Sequence, residues 1–140
     1  IGIKDSSGNM TYLYSLIEEF KDSPEFSIIV GAEIFLPETI INGGHGAVAG
    51  GANIFPRLFV DLYEASAARN MEKVGELRNK LVIIGKYIYD VAPYTSKHIK
   101  TTKSALAALG ICNNYVAHPF SKANEAQTKL IKQNIKEFNL

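Results

Sequence analysis

Lys4 is the residue of this sequence whose type and position most directly predict chemistry. It ends a short apolar run, and a polar, glycine-containing turn, Asp5–Asn9, follows before a helix begins. This order predicts a buried strand, a loop at its carboxyl end and a crossover helix. An amine held against apolar neighbours such as Ile1 and Ile3 is a nucleophile, and its usual chemistry is a Schiff base with a carbonyl substrate. The alternative is a solvated surface lysine, which is the common state of lysines at strand ends.

The composition predicts one soluble globular domain. The chain has 140 residues, enough to bury a core, and its net charge of +1 argues against a nucleic-acid surface. The single cysteine, Cys112, excludes an internal disulfide and fits a reducing, cytoplasmic location. No apolar run is long enough to span a membrane. Because the first residues are already strand-like and lack a methionine or a basic leader, we expect the chain to be a piece of a longer protein.

Three strand-like segments alternate with helices over the first half of the chain, at residues 1–4, 26–30 and 47–49. Asn9 is a predicted N-cap of the first helix, and Asn53 is the predicted N-cap of the third, with Pro56 in its first turn. Strands that alternate with helices form parallel sheets. Two architectures remain open, an α/β sheet with exposed edges and the last three units of a (β/α)8 barrel.

The second half of the chain is predicted to be helical. One long helix has apolar residues at spacings of three and four from Val74 to Val91, so it should pack along its whole length. A helix that ends at Gly110 should bury Ile99, Thr102, Leu106 and Leu109. Ser121 is the predicted cap of a last helix, whose inward positions are Leu130, Ile131, Ile135 and Phe138.

In a barrel, the chemically interesting segments would meet. Lys4, Gly31–Glu33 and Val48–Asn53 each lie where a predicted strand ends. The active site of a (β/α)8 barrel is built at the carboxyl ends of its strands, and such a barrel takes about 250 residues. These segments would therefore converge on one pocket. His45 precedes the third strand, at the opposite end, so we expect it to be structural or solvated.

Four segments together resemble the dihydrodipicolinate synthase / N-acetylneuraminate lyase family, whose members are class I, Schiff-base aldolases and synthases on a TIM barrel. Gly2–Asn9 resembles the segment around the family's lysine on strand six, and Gly31–Glu33 resembles the Gly-x-acidic turn after strand seven. Gly43–Pro56 resembles the glycine-rich segment of strand eight. Lys103–Gly110 resembles a Lys-x-Ala-Leu-x-x-Leu-Gly helix near the family's C-terminus.

The resemblance implies an α/β fold, the C-terminal part of a TIM (β/α)8 barrel. Residues 1–69 would be its last three β/α units, strands six to eight with their helices, and residues 70–140 a C-terminal helical region. It also implies that this chain lacks two elements of the family's site. The tyrosine proton relay belongs to strand five and the threonine-containing carboxylate-binding loop follows strand two. We therefore expect the chain alone to be inactive and to need the N-terminal half of the barrel.

The resemblance implies a lyase or synthase that acts on pyruvate or a pyruvate-derived 2-oxo acid. Lys4 would be the catalytic nucleophile, Val48 would lie beside it through its backbone carbonyl, and Glu33 would face the distal, hydroxylated part of the substrate. Gly50 and Gly51 would leave room and offer backbone N–H groups. No cofactor or metal is implied, no nucleic acid or membrane is expected as a partner, and a homo-oligomer is expected.

The substrate stays open among the family's members. They are dihydrodipicolinate synthase, 2-keto-3-deoxy sugar-acid aldolase, 4-hydroxy-2-oxoglutarate aldolase and N-acetylneuraminate lyase. The small Ala49–Gly51 loop slightly favours a sugar-acid aldolase, because a bulky hydroxylated substrate needs space. For Glu33, a simple place in the first turn of the next helix is an equal alternative. A different class of function is a non-catalytic half-barrel that binds or regulates a partner through the Val74–Val91 helix.

Overall fold

The structure, a computed structural model, describes residues 1–93 and 96–137. Its strands are β1 (Gly2–Asp5), β2 (Ser27–Val30) and β3 (Gly46–Ala47). The helices are α1 (Met10–Glu19), α2 (Leu36–Ile41), α3 (Pro56–Ala67), α4 (Met71–Tyr87), α5 (Lys97–Ala108) and α6 (Glu125–Glu137). Short 3-10 turns lie at Glu33–Phe35, Gly50–Asn53 and Tyr89–Val91.

The strands form one parallel sheet in the order β1-β2-β3. Consecutive strand residues point to opposite faces, so each strand has one face that packs on helices and one that does not. Ile28 and Val30 of β2 are buried and form a core cluster with Leu13 and Ile17 of α1. Ile3 of β1 packs against this cluster from the same face. The alternation of strand and helix predicted from the sequence is therefore present, with β2 and β3 shorter than predicted.

Asn9 caps α1 as predicted, but Asn53 does not occupy the N-cap position of α3. The Oδ1 atom of Asn9 accepts a hydrogen bond from the Tyr12 N–H at 3.1 Å, which satisfies one of the free donors of the first turn. The helix α3 begins at Pro56, and Asn53 closes the preceding 3-10 turn. A proline at the first helical position needs no donor partner, so the helix starts there.

The chain divides into two compact units. The first consists of residues 1–52 and 56–81, and the second of residues 53–55 and 82–140. The first unit contains the sheet with α1, α2, α3 and the beginning of α4, so it extends past residue 69. Within it, Arg78 of α4 forms an ion pair with Glu38 of α2. Both side chains are partly shielded, and this pair holds the start of α4 to the β/α part of the unit.

The second unit is helical. The helices α5 and α6 pack against each other, and the 3-10 turn Tyr89–Val91 packs against both. Asn134 is buried, and its Nδ2 atom donates to the Tyr87 carbonyl at 2.6 Å, which satisfies a polar group inside the unit.

The three-and-four spacing predicted for α4 is confirmed by the buried residues Val74, Leu77, Leu81, Ile84 and Ile88. The helix ends at Tyr87, and Val91 belongs to the following 3-10 turn.

Two predictions for the last helices were wrong, and the first concerns the buried face of α5. The buried residues of α5 are Thr101, Ser104 and Ala105, whereas Ile99 and Leu109 are exposed. Small side chains let helices approach closely, so in α5 the polar but small positions face the neighbour and the larger apolar ones do not.

The second wrong prediction is the cap of α6, which is Asn124 and not Ser121. The Oδ1 atom of Asn124 accepts from the Gln127 N–H at 2.8 Å, and Gln127 Oε1 accepts from the Asn124 N–H at 3.0 Å. This reciprocal pair is a capping box, with the glutamine three residues after the cap. Ile131 and Ile135 are buried as predicted, Leu130 is exposed, and Phe138 lies outside the described residues.

Candidate active site

Lys4 lies on the sheet face that the helices leave open. In the parallel register Lys4 is beside Ile29, and Ile29 is beside Gly46, so the three residues form one row across the sheet. Side chains in such a row point to the same face, opposite the one that carries Ile28 and Val30. Lys4 and Val48 are exposed in the described residues. This open face, defined by Lys4, Ile29 and Val48, is the face that a closed barrel would turn inward.

The apolar neighbours predicted for Lys4 from its strand were wrong. Ile1 is fully exposed, and Ile3 packs against the core cluster on the other face of the sheet. The reason is the two-residue period of a strand, which places adjacent residues on opposite faces. In the sheet the apolar neighbour on the face of Lys4 is Ile29 of β2.

Gly31 has no side chain and therefore leaves room for the side chain of Lys4. A Cβ atom at residue 31 would lie 3.0 Å from Lys4 Cε and 2.2 Å from Ser6 Oγ. The first distance is about the shortest that real Cβ atoms show, and the second is too short for any side chain at residue 31 unless Ser6 moves. Gly31 follows β2 directly, so the space it leaves lies at the carboxyl end of the sheet, where barrel sites are built.

The sequence analysis did not identify Ser6 as a candidate site residue of its own. Its Oγ atom and Lys4 Cε both lie within 3.0 Å of the same point, the missing Cβ of Gly31. The signal was present in the spacing, because a residue two positions after Lys4 projects to the same side if the chain stays extended. The hydroxyl of Ser6 is thus a polar neighbour of the lysine stem.

The loop after β1 is held by a series of short-range hydrogen bonds. Asp5 is buried, and its Oδ1 atom accepts from the Ser7 N–H at 2.8 Å. Ser7 Oγ accepts from the Asn9 N–H at 3.1 Å, and Asn9 caps α1. Such turns fix the backbone between strand and helix with side chains of the turn itself. They fix the loop that follows Lys4 and the end of β1.

Glu33 and Gly51, both predicted as substrate-binding residues, are bonded to each other. The Gly51 N–H donates to Glu33 Oε2 at 2.7 Å. Glu33 begins the 3-10 turn after β2, and Gly51 is buried in the 3-10 turn Gly50–Asn53 after β3. The carboxylate therefore links the loops that follow two neighbouring strands. In this arrangement the Gly51 N–H is hydrogen-bonded to a side chain of the same chain.

Val48 and Gly50 lie at the end of the sheet. The Val48 N–H donates to the Val30 carbonyl at 2.9 Å, which continues the pairing of β3 with β2 beyond Ala47. The Val48 side chain is 57% exposed on the open face. Gly50 is exposed, and a Cβ added to it would meet nothing within 4 Å among the described residues. There is therefore open space beside the segment from Val48 to Gly50.

His45 has a structural contact with the sheet. Its backbone N–H donates to the Ile28 carbonyl at 2.8 Å, and its Nδ1 atom accepts from the Ile28 N–H at 3.0 Å. The imidazole thus takes the place of a backbone acceptor just before β3 begins. This is the amino end of the strand, opposite the end at which Lys4 and Gly31 lie.

Other features of the first unit and of the described chain carry no candidate site. An apolar cavity of about 270 Å³ is lined by side chains of α2, α3 and the β3 region, and none of the predicted site residues lines it. Residues 1–93 and 96–137 contain no cluster of three His, Cys, Asp or Glu that could hold a metal ion. Over the same residues, every helix is too short or too polar to cross a bilayer.

The first unit, with helices between three parallel strands and polar groups at the carboxyl ends, has the repeating pattern of part of a (β/α)8 barrel. Comparison with solved structures confirms this fold. The dihydrodipicolinate synthase of Bacteroides thetaiotaomicron matches 98% of this chain with a TM-score of 0.94 and 42% sequence identity. The chain is therefore the C-terminal part of a TIM barrel, strands six to eight with their helices, followed by a C-terminal helical segment.

A model of the dihydrodipicolinate synthetase family matches residues 1–138, and the chain belongs to this family. The 4-hydroxy-tetrahydrodipicolinate synthase of Methanopyrus kandleri is 26% identical over the whole chain. YagE, a prophage protein of E. coli K12 in this family whose structure was solved in complex with pyruvate, matches the whole chain with a TM-score of 0.85 and 25% identity.

The chain spans less than half the length of these relatives. It covers 44% of the Methanopyrus protein, 46% of the Bacteroides structure and 46% of YagE. The comparisons establish the family to which this chain belongs. The chemistry of Lys4 and the identity of the substrate are separate questions.

Proposed function

We propose that this chain carries the nucleophile of a class I, Schiff-base lyase or synthase that uses pyruvate or a pyruvate-derived 2-oxo acid. The observation that supports it is the placement of Lys4. The lysine ends a parallel strand on the open sheet face, and Gly31 leaves room for its stem at the carboxyl end. An amine at this place can reach a small ketone bound over the strand ends.

In the proposed reaction the unprotonated Lys4 amine attacks the ketone carbon of the 2-oxo acid. The carbinolamine loses water and becomes a protonated imine, whose nitrogen draws electrons from the adjacent carbons. A C–C bond then breaks, or a methyl proton leaves, and the electron pair forms an enamine. In the synthetic direction the same enamine attacks a carbonyl or imine acceptor, and hydrolysis returns the amine. A covalent intermediate of this kind splits one difficult step into easier ones.

The surroundings of Lys4 supply shape and polarity to this reaction. Val48 is proposed to line the pyruvate site from β3, and Gly50 to leave space for the larger part of the substrate. Glu33 and Gly51 are proposed to border the same pocket at its distal side. The absence of a side chain at Gly50 is consistent with a hydroxylated sugar acid as substrate. The pyruvate complex of YagE supports the 2-oxo acid class.

The open sheet face and the unpaired edges of the sheet need to be covered by another part of the protein. Lys4 and Val48 are exposed in this chain, and β1 and β3 are both edge strands of the three-stranded sheet. Unpaired edges and an open apolar face are liabilities that a closed barrel removes. We propose that the N-terminal half of the barrel pairs with these edges and supplies the remaining groups of the site. The assembled enzyme is proposed to be a cytoplasmic homo-oligomer.

The experiment is reductive trapping followed by a substrate screen. The intact protein is incubated with pyruvate and borohydride, and the intact mass is read with and without pyruvate. A stable adduct that needs both reagents is expected, because borohydride reduces the imine to a secondary amine. Pyruvate release from 2-keto-3-deoxy sugar acids, 4-hydroxy-2-oxoglutarate and N-acetylneuraminate then identifies the cleaved substrate. Dihydrodipicolinate synthesis is assayed with pyruvate and aspartate semialdehyde.

Absence of an adduct at saturating pyruvate would contradict the proposed mechanism. It would favour the other class of function, a half-barrel that binds or regulates a partner. Lactate, the 2-hydroxy acid that corresponds to pyruvate, has no ketone and serves as the reagent control, since it cannot form an imine.

A further inference from the structure

We propose that Glu33 is a positioning residue, which fixes the turn Gly50–Asn53 beside the lysine through its bond to the Gly51 N–H. This role is distinct from a contact with the distal part of the substrate. Only the statement that the turn borders the pyruvate site rests on the proposed function. The bond itself is a feature of this chain.

The bond joins two loops that are distant in sequence. Glu33 Oε2 accepts from the Gly51 N–H at 2.7 Å, across a separation of 18 residues. Gly51 is buried, and Glu33 is half-buried. A hydrogen bond from a backbone N–H to a carboxylate is stronger than one between neutral groups, and shielding from water strengthens it further. Its loss would leave a buried donor without its acceptor.

The ladder that leads into the turn is short. The strand β3 is only Gly46–Ala47, and the ladder ends at the Val48 N–H, which donates to Val30. Within the following segment, the Ala52 N–H reaches the Ala49 carbonyl only at 3.3 Å. Adjacent glycines at 50 and 51 have more conformational freedom than other residues, so ordering them costs more.

The position of the turn matters for Lys4. Val48 lies just before the turn on the open face, and Gly50 is the first residue of the turn. A shift of the turn would move the Val48 backbone relative to Lys4. This consequence separates the two roles of Glu33. Pyruvate has no distal hydroxylated part, so a Glu33 that only contacted that part would not influence pyruvate at all. A Glu33 that positions the turn would influence pyruvate as well.

The experiment compares Glu33→Ala with Glu33→Gln in the intact protein. The glutamine side chain is nearly isosteric with glutamate, and its carboxamide oxygen can accept the same bond. Glu25→Ala, which removes an exposed carboxylate, is the matched control. Amide hydrogen exchange at Gly51 is measured by NMR, with the buried Ile28 and Val30 amides as the test that the sheet is intact.

We expect Gly51 exchange to be faster by about tenfold or more in E33A and within about threefold of wild type in E33Q and E25A. The rate of borohydride trapping with pyruvate should fall by about tenfold in E33A and recover in E33Q. If E33A loses protection at Ile28, Glu33→Asp replaces it, since the shorter carboxylate cannot span the same distance.

Unchanged Gly51 exchange in E33A would overturn the proposal. Faster exchange with unchanged pyruvate trapping would also overturn it, because the turn would then not be coupled to the lysine. A wild-type protein that traps no pyruvate would refute the proposed function and not the bond. The exchange measurement would still decide whether Glu33 holds the turn.

Discussion

Lys4 Cε lies 3.0 Å from the point at which a Cβ of residue 31 would stand. Glycine at residue 31 is therefore favoured by the neighbouring Ser6 and Lys4 side chains and not by its own backbone angles, because its φ lies outside the left-handed region. Residue 31 directly follows one strand, whereas the lysine belongs to the neighbouring one. The sequence separation of the two residues conceals a contact that the parallel register creates.

Gly31→Ala should lower the rate of pyruvate trapping by about tenfold to a hundredfold while the protein stays folded. The added methyl group meets Lys4 Cε and Ser6 Oγ, and both atoms belong to side chains that can move aside. A displacement of the amine by less than an ångström is enough to reduce reactivity strongly. The trapping rate is measured by mass spectrometry, and thermal unfolding is measured in parallel.

Gly75→Ala is the matched control for this substitution. Residue 75 lies inside α4, and a Cβ there meets nothing within 4 Å among the described residues. We expect trapping at the wild-type rate and a stabilisation of about 0.5–1 kcal/mol, since alanine favours a helix over glycine. Equal trapping by G31A and G75A would contradict the steric explanation for Gly31.

Gly2→Ala should destabilise the protein by about 1–3 kcal/mol, a larger effect on folding than that of G31A. A Cβ at residue 2 would lie 2.5 Å from the Ser27 carbonyl oxygen and 3.2 Å from the Ser27 nitrogen. These are backbone atoms of the paired strand, so β1 and β2 must separate to admit the methyl group. Urea unfolding measures the free energy. A G2A protein as stable as wild type would show that the strands are less tightly paired than described.

His45→Ala should increase amide exchange at Ile28 by about tenfold. The imidazole Nδ1 accepts from the Ile28 N–H, and a hydrogen bond of this kind contributes about 1 kcal/mol. Pyruvate trapping should change little, because His45 lies at the amino end of β3 and the lysine at the carboxyl end of β1. A selective loss of trapping in H45A, with Ile28 exchange unchanged, would assign His45 a role in the reaction.

Arg78→Met should destabilise the protein by about 1–2 kcal/mol. The substitution leaves Glu38 partly shielded without its cation, and the side chains are only 37% and 26% exposed. A second oxygen of Glu38, Oε2, and the Arg78 Nε have no hydrogen-bond partner among the described residues, so the pair uses only part of its bonding capacity.

The double variant with Glu38→Gln tests whether the loss is that of the ion pair. It should be less destabilised than the sum of the two single variants, since neutral glutamine needs no cation. Additive losses, measured by urea unfolding, would show that Arg78 acts through packing of its stem alone.

The fold was predictable because its signals are local and periodic. Apolar runs at 1–4, 26–30 and 47–49 separated by helical stripes indicate parallel strands, and Asn9 is a cap that the sequence reveals directly. The errors occurred where tertiary contacts decide. The apolar stripe of α5 is not its buried face, which carries Thr101, Ser104 and Ala105. Ser121 precedes the reciprocal pair of Asn124 and Gln127 that caps α6.

Candidate site residues could be named from the sequence, but their arrangement could not be predicted from it. The site residues named from position and resemblance were Lys4, Glu33, Val48, Gly50 and Gly51. The sheet register is needed to see that Ile3 turns away from Lys4 and that Ile29 lies beside it. The bond from Gly51 to Glu33 joins loops of different strands, so no local pattern contains it.

The decisive observation is the identity of the residue that carries the trapped pyruvate. The intact protein is treated with pyruvate and borohydride, digested, and sequenced by fragmentation, beside a Lys4→Arg variant that keeps the positive charge. We expect one adduct, on Lys4, and none in K4R. An adduct on another lysine, or trapping that persists in K4R, would show that Lys4 is not the nucleophile.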